Sequence, residues 1–178
     1  AKAWAEVHKK PIAAVSALES VAAQVRLEGL NSSKGSLPVV VPMLDARRGQ
    51  VYAGVYRPNT PSAGSAESAR NGLGIDDLTR VGEERVMAAA EFLAILRGEV
   101  ADDPVIFATP TPEILAAALA ASPYRNSQVV KASAVLAPSI GLLGLAHSRR
   151  GKLVDALHLE ANYVRQSDAE LVFKTTRA

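Results

Sequence analysis

Residues 39–56, VVVPMLDARRGQVYAGVY, predict a strand, a tight turn and a returning strand. The run 39–44 is continuously apolar, which is typical of a strand that is buried on both faces. The turn then occupies 45–50, because Gly49 adopts positive φ without a steric cost and Asp45 can accept a hydrogen bond from the backbone two residues later. We therefore expect an antiparallel hairpin.

The two faces of the returning strand differ because side chains alternate along a strand. One face carries Val51, Ala53 and Val55, and the other carries Tyr52, Gly54 and Tyr56. The turn between the two strands holds an acid and two arginines, Asp45, Arg47 and Arg48. These charged residues stand on a rigid support, so recognition is expected there first.

The composition excludes several classes of protein. The 178 residues are 48% hydrophobic but only 4% aromatic, so alanine, valine and leucine must fill the core. A net charge of +2 is too small to argue for nucleic-acid binding by itself. Cysteine is absent from the sequence, which excludes disulfides, a thiolate nucleophile and a cysteine metal site. No apolar run approaches the roughly 18 residues of a membrane span, so we expect a soluble, cytoplasmic protein with no membrane partner.

Elsewhere in the chain, apolar residues at helical spacing alternate with short apolar runs. They predict helices at 1–9, 16–29, 85–97, 112–121 and 136–147 and strands at 12–15, 78–81, 105–108 and 128–131. Ser16 followed by Glu19 is the signature of a capping box. Stretches 31–38 and 58–74 are typical of a linker and a long loop. From residue 39 the order is β-β-β-α-β-α-β-α, and the predicted fold class is α/β.

Three segments resemble motifs of the bacterial TsaB (YeaZ) family. Residues 45–52, DARRGQVY, resemble that family's Asp-Ala-Arg-Arg-Gly-Glu-Val-Tyr hairpin. Residues 1–3 and 11–19 (PIAAVSALE) resemble its helix and its Val-Ser-Ser-Leu-Glu segment. Residues 163–170, YVRQSDAE, resemble its closing Tyr-Leu-Arg-x-x-Asp-Ala-Glu. The three motifs occur in the order in which the family has them.

The resemblance implies an actin-like fold of two ribonuclease-H-like lobes, and the element order from residue 39 agrees with one such lobe. On this basis residues 1–30 are the end of a first lobe that is largely missing, and 39–150 are the second lobe. Residues 151–178 are then a C-terminal tail that packs on the body. A predicted helix that begins at the first residue without a cap also indicates that an N-terminal part of the protein is missing from this sequence.

The function implied by the resemblance is that of a non-catalytic subunit. In the family, this subunit partners a TsaD-type transferase and a TsaE-type ATPase, which place threonylcarbamate on the adenosine beside the anticodon of tRNA. The resemblance implies no cofactor of its own, with ATP or ADP expected at the interface with the catalytic partner. Two alternatives stay open: a nucleotide-hydrolysing or acyl-transferring enzyme of the same fold, and a homodimeric interaction domain. The family's older glycoprotease label suggests proteolysis, but this sequence contains no Gly-x-Ser-x-Gly motif.

Candidate residues for contact with a partner or with tRNA lie in the turn and in the tail. They are Asp45, Arg47, Arg48, Tyr52, Arg165 and Asp168. The planar guanidinium of arginine suits phosphate and carboxylate, which favours the two turn arginines as a docking point. The alternative for the turn is a hairpin with solvated charges.

Cofactor and metal signals are weak. Ser139 and Gly141 stand at the start of the last helix, where a nucleotide could bind, but plain helix packing is the preferred interpretation. The histidines, His8, His147 and His158, form no His-x-x-x-His pair, so no metal site is predicted. The family's catalytic partner carries such a pair, and its absence here favours the non-catalytic member. His147 is expected at a helix end, where the dipole favours a cation.

Overall fold

The computed structural model describes residues 1–27, 37–59 and 78–160, with residues 26 and 27 described by their backbone alone. The helices are α1 (Lys2–His8), α2 (Ala17–Leu27), α3 (Ala89–Val100), α4 (Glu113–Ala120) and α5 (Ala137–Arg149). The strands are β1 (Val39–Asp45), β2 (Gln50–Pro58), β3 (Leu78–Ala88), β4 (Val105–Thr109) and β5 (Gln128–Lys131). From β1 onward the predicted order, β-β-β-α-β-α-β-α, is confirmed.

The five strands form one mixed sheet in the order β3-β2-β1-β4-β5. β1, β2 and β3 are antiparallel neighbours, whereas β1, β4 and β5 are parallel. The difference follows from the connections, because a tight turn joins antiparallel strands and a helical crossover joins parallel ones. The carboxyl ends of β1, β4 and β5 therefore lie along the same edge of the sheet.

One face of the sheet is covered by α3 and α4 and is entirely apolar at its centre. Alternate residues of β1 and β2 point to this face, as predicted for the valine side of the returning strand. The buried cluster consists of Val39, Val41, Met43, Val51, Ala53, Val55, Ala89, Phe92, Leu93, Leu96, Val100, Val105, Phe107, Leu115 and Leu119.

The opposite face is covered by α2, which carries α5 on its far side. Its buried cluster consists of Leu18, Val21, Ala22, Val25, Val40, Tyr56, Ile106, Ala108, Val130 and Ala132, with Tyr52 packed against it. Tyr52 and Tyr56 thus lie on the face that alternation predicted. Leu143 of α5 is buried against Ala23 of α2, with Val15 alongside.

Three predictions about the elements and their bounds are wrong. The strand predicted at 78–81 extends to Ala88, and the helix predicted from residue 85 begins at Ala89. The reason is pairing: residues 85–88 form the ladder with residues 50–53 of β2. The strand predicted at 12–15 is reduced to a single bridge between Ile12 and Val154.

Several predicted segments lie outside the described residues. They include the core of the 31–38 linker, most of the 58–74 loop and all of the tail from 161. The boundaries 1–30, 39–150 and 151–178 therefore stay predictions. Within the described ranges, no helix has both the length and the apolar character needed to cross a membrane.

Candidate functional site

The turn between β1 and β2 holds three successive residues in the left-handed region. φ is 65° at Arg47, 55° at Arg48 and 74° at Gly49. The carboxylate of Asp45 accepts a hydrogen bond from the backbone N–H of Arg47 at 2.7 Å, as predicted for this turn. The N–H of Gln50 donates to the carbonyl of Arg47 at 3.0 Å, which closes the loop.

The turn presents its charges to solvent. The side chain of Arg47 is 87% exposed, and its guanidinium lies 3.8 Å from the Asp45 carboxylate, a distance too long for a strong pair. Arg48 is also exposed. The structure therefore brings Asp45, Arg47 and Arg48 together, as the sequence predicted. Tyr52 lies apart from them and faces a cleft on the α2 side of the sheet.

This cleft has a volume of about 1340 Å³ and lies in front of the amino end of α2. The segment 12–19 lines one side, and side chains of β1, β2 and β3 line the floor. Residues of α1, α5 and the chain around 159–160 complete the wall. The cleft therefore lies where the amino-terminal part of the chain meets the antiparallel half of the sheet.

A carboxylate in this cleft, that of Glu84, accepts hydrogen bonds from two hydroxyls. The hydroxyl of Tyr56 donates to it at 2.7 Å, and the hydroxyl of Ser16 donates to the same oxygen. Burial, followed by the hydrogen bond to Glu84, raises the pKa of Tyr56 well above its usual range. The neutral phenol is therefore the form that the fold holds.

Gly54 makes room for this network. A Cβ at this position would lie 3.1 Å from the ring of Tyr56 and 3.5 Å from Cγ of Glu84. A side chain at residue 54 would therefore crowd the ring of Tyr56 and touch Glu84, which gives a physical reason for glycine in the middle of β2.

Ser16 also caps α2, as its place in the sequence predicted. Its Oγ accepts hydrogen bonds from the backbone N–H of Leu18 at 3.1 Å and of Glu19 at 3.4 Å. The carboxylate of Glu19 lies 3.1 Å from Nε2 of His147, and Nδ1 of His147 lies 3.2 Å from the carbonyl oxygen of Ala14. His147 is in the last turn of α5, as expected, and it also ties α5 to the start of α2.

These contacts use the polar groups of the cleft for structure. The Ser16 hydroxyl bonds to the Glu84 carboxylate and to two backbone amides, and the ring nitrogens of His147 face the Glu19 carboxylate and the Ala14 carbonyl. The arrangement therefore holds the start of α2 against the sheet and against α5.

The remaining predicted site residues fall into two groups. Ser139 is buried, and its hydroxyl donates to the carbonyl of Leu136 at 3.0 Å, whereas Gly141 is exposed with open space where a Cβ would stand. Neither observation identifies a nucleotide. Arg165 and Asp168 lie outside the described residues. Among the residues that the structure describes, no group of three or more potential metal ligands is clustered.

The sequence predictions missed Glu84, Tyr56 and the pairing of Glu19 with His147. Glu84 stands in a stretch that was predicted to lie between a strand and a helix, so its position on a strand was hidden. The one available signal was the tyrosine face of β2, which places a phenol beside whatever strand pairs there. Its partner could not be read from spacing alone.

Comparison with known proteins adds an independent observation. The family model for TsaD, tRNA N6-adenosine threonylcarbamoyltransferase, matches residues 1–69. A Pseudomonas aeruginosa protein described as uncharacterized with similarity to peptidase YEAZ has a similar structure, with a TM-score of 0.61, 20% identity and coverage of 92% of this chain and 63% of that one. YeaZ from Pseudomonas aeruginosa has a TM-score of 0.56, 19% identity and coverage of 87% and 61%.

The chain is thus similar to the TsaD family over its first 69 residues and to the YeaZ structures in fold. The likeness to the YeaZ structures shows the fold, and it is consistent with the actin-like, ribonuclease-H-like lobe that the resemblance implied. The chain spans less than two thirds of the length of either YeaZ-like structure. No curated protein matches the sequence.

Proposed function

We propose that this chain is a non-catalytic, cytoplasmic subunit that activates a TsaD-type transferase in the threonylcarbamoylation of tRNA adenosine beside the anticodon. The observation that carries the proposal is the match of residues 1–69 to the TsaD family model. That match relates the chain to proteins of this tRNA modification, and the YeaZ-like fold supports a subunit within the same group.

The hydrogen bonds in the cleft favour a structural role for this chain over a catalytic one. The Ser16, Tyr56 and Glu84 side chains bond to one another, and the Ser16 hydroxyl also caps α2. A subunit that acts through contacts needs rigid surfaces, whereas a catalyst needs polar groups that are available to substrate. The partners expected are the TsaD-type transferase and a TsaE-type ATPase, with ATP or ADP at the interface with the transferase.

A second function has a specific observation in its favour. The matching family model is that of a transferase, so the chain could itself transfer an acyl group or hydrolyse a nucleotide. The two functions differ in whether the chain works without TsaD.

A reconstituted assay tests both functions. It contains tRNA, ATP, threonylcarbamoyl-adenylate and the TsaE-type ATPase, and it measures modified adenosine over time. Four reactions are compared: the transferase alone, the transferase with this chain, this chain without the transferase, and neither protein. We expect the chain to increase modification only when the transferase is present.

Each other outcome has a distinct meaning. Modification or nucleotide hydrolysis by the chain without the transferase would overturn the non-catalytic proposal and favour the enzyme. An unchanged rate in the presence of the transferase, with a stable dimer in sedimentation, would favour a homodimeric interaction domain.

A further inference from the structure

The β1–β2 turn places two arginines in a backbone conformation that side chains rarely adopt. Arg47 and Arg48 have φ of 65° and 55°. In this region the Cβ crowds the following carbonyl, so a non-glycine residue costs free energy there, least for asparagine and aspartate. The bond from the Gln50 N–H to the Arg47 carbonyl puts Arg48 and Gly49 at the centre of the turn, where Asn-Gly is the preferred pair. Folding alone therefore does not explain arginine at residues 47 and 48.

The turn is fixed from both ends. Its hydrogen bonds run from the N–H of Arg47 to Asp45, from the N–H of Gln50 to Arg47, and from the N–H of Ala46 to Gln50 at 3.0 Å. Ala46 is buried. Because strained residues persist only where the surroundings hold them, and because such residues cluster at binding sites, the strain indicates a function for these side chains.

The neighbouring sheet edge adds positive charge. Lys131 ends β5 and is exposed, and β4 lies between β5 and β1. Lys131 therefore lies two strand spacings, or about 10 Å, from β1. In open α/β sheets, ligands bind outside the carboxyl ends of the strands, and the cations at this edge suit an anionic one.

The residues exposed at the turn tip, 47–49, are polar or glycine. Protein interfaces are enriched in aromatic residues, methionine and arginine around an apolar centre, and of these the tip offers only the arginines. Phosphate backbones need only cations and backbone donors. The chemistry therefore favours a nucleic-acid backbone over an acidic protein segment.

We propose that the Arg47–Arg48 turn, with Lys131 along the same edge, binds phosphates of an RNA backbone. If the proposed function is correct, this RNA is the tRNA substrate. Each guanidinium can hold a phosphate by two parallel hydrogen bonds, which the single charge of a lysine cannot do. The strained backbone is retained at these positions because arginine binds phosphate, whereas asparagine and glycine carry no charge that could do so.

The test is a titration of the chain with fluorescently labelled tRNA over a series of salt concentrations, with no transferase present. The variant Arg47→Asn with Arg48→Asn removes both charges, and asparagine tolerates the left-handed backbone. The control, Arg125→Asn with Arg149→Asn, makes the same change in charge at two exposed arginines outside the turn: Arg125 precedes β5, and Arg149 ends α5.

We expect the turn variant to bind tRNA about tenfold more weakly near 0.1 M salt. Its slope of log K against log salt should fall by roughly 1.4 to 1.8, since each phosphate contact contributes about 0.7 to 0.9. Its melting temperature should rise by about 2–4 °C because the strain is relieved. The control should change neither the slope nor the melting temperature by as much.

Three results would overturn the site. They are unchanged binding by the turn variant, equal weakening by the control, and displacement of tRNA by ATP or inorganic phosphate below millimolar concentration. The last result would assign the turn to a free phosphate ligand. Because the titration contains no transferase, it can succeed when the modification assay fails, and it can fail when that assay succeeds.

Discussion

The two faces of the sheet are held together by different interactions. The face under α3 and α4 is a continuous apolar cluster centred on Phe92 and Phe107. The face under α2 has a smaller apolar cluster, and hydrogen bonds among Ser16, Tyr56 and Glu84 border it. The ion pairs on the α3 side, Arg57 with Asp103 and Arg85 with Glu99, lie outside its apolar cluster. On the α2 side, Tyr56 belongs to the cluster itself and donates to Glu84.

This difference matters because the two kinds of interaction respond differently to change. Apolar packing tolerates substitutions that keep volume, since dispersion and the hydrophobic effect have no preferred direction. A buried hydrogen bond to a carboxylate requires one donor in one place, and losing that donor leaves the charge less well solvated. The α2 face should therefore be the more sensitive face to single polar atoms and the α3 face to lost volume.

The largest expected effect is on the α3 face. Phe92→Ala should lower the free energy of unfolding by about 3–5 kcal/mol, because it removes a fully buried ring and leaves a cavity. Ile95→Ala on the same helix is the control, since Ile95 is 41% exposed and should lose less than about 1 kcal/mol. Urea unfolding measures both variants. Equal losses would contradict the assignment of Phe92 to the core.

An intermediate effect is expected on the α2 face. Tyr56→Phe keeps the ring and removes the hydroxyl that donates to Glu84 at 2.7 Å. Because hydrogen bonds to charged groups contribute about 1.5–3 kcal/mol, the variant should be less stable by that amount at neutral pH. If urea unfolding found Tyr56→Phe as stable as the unmodified chain, the polar character of this face would be refuted.

The same variant should change the response to alkali. Burial and Glu84 raise the pKa of Tyr56 in the folded chain, so stability from the neutral phenol is complete below the unfolded pKa near 10 and declines above it. The stability difference between the unmodified chain and Tyr56→Phe should therefore shrink as pH rises beyond about 10. A constant difference across that range would contradict the raised pKa.

The smallest effect should have the opposite sign. Tyr124 packs edge-on against Phe107, with ring centroids 5.7 Å apart, and its hydroxyl has no hydrogen-bond partner among the described residues. Burial raises the pKa of Tyr124. Tyr124→Phe should stabilise the chain by about 1 kcal/mol, because an unpaired buried hydroxyl is removed. Thermal unfolding of Tyr124→Phe and Tyr56→Phe compares the loss of one hydroxyl on each face of the sheet. A lower melting temperature in both variants would contradict the difference proposed between the two faces.

Part of the candidate site could be predicted from local sequence. Asp45, Arg47 and Arg48 were predicted in one turn, and the hydrogen bond from the Arg47 amide to Asp45 is present. That prediction succeeded because a tight turn is determined by neighbouring residues. The left-handed backbone of both arginines was not foreseen, since no arginine preference leads to it.

The sequence by itself determined the order of strands and helices, the alternation of faces along β2 and the cap at Ser16. These features depend on residues within a few positions of each other, where periodicity and capping chemistry operate. Only the tertiary structure decided that residues 85–88 continue β3, because pairing with β2 outweighed a helical pattern. It also decided the meeting of Glu84 with Ser16, 68 positions away, and of His147 with Glu19, 128 positions away. Such contacts depend on how the chain folds back on itself, and no local preference specifies them.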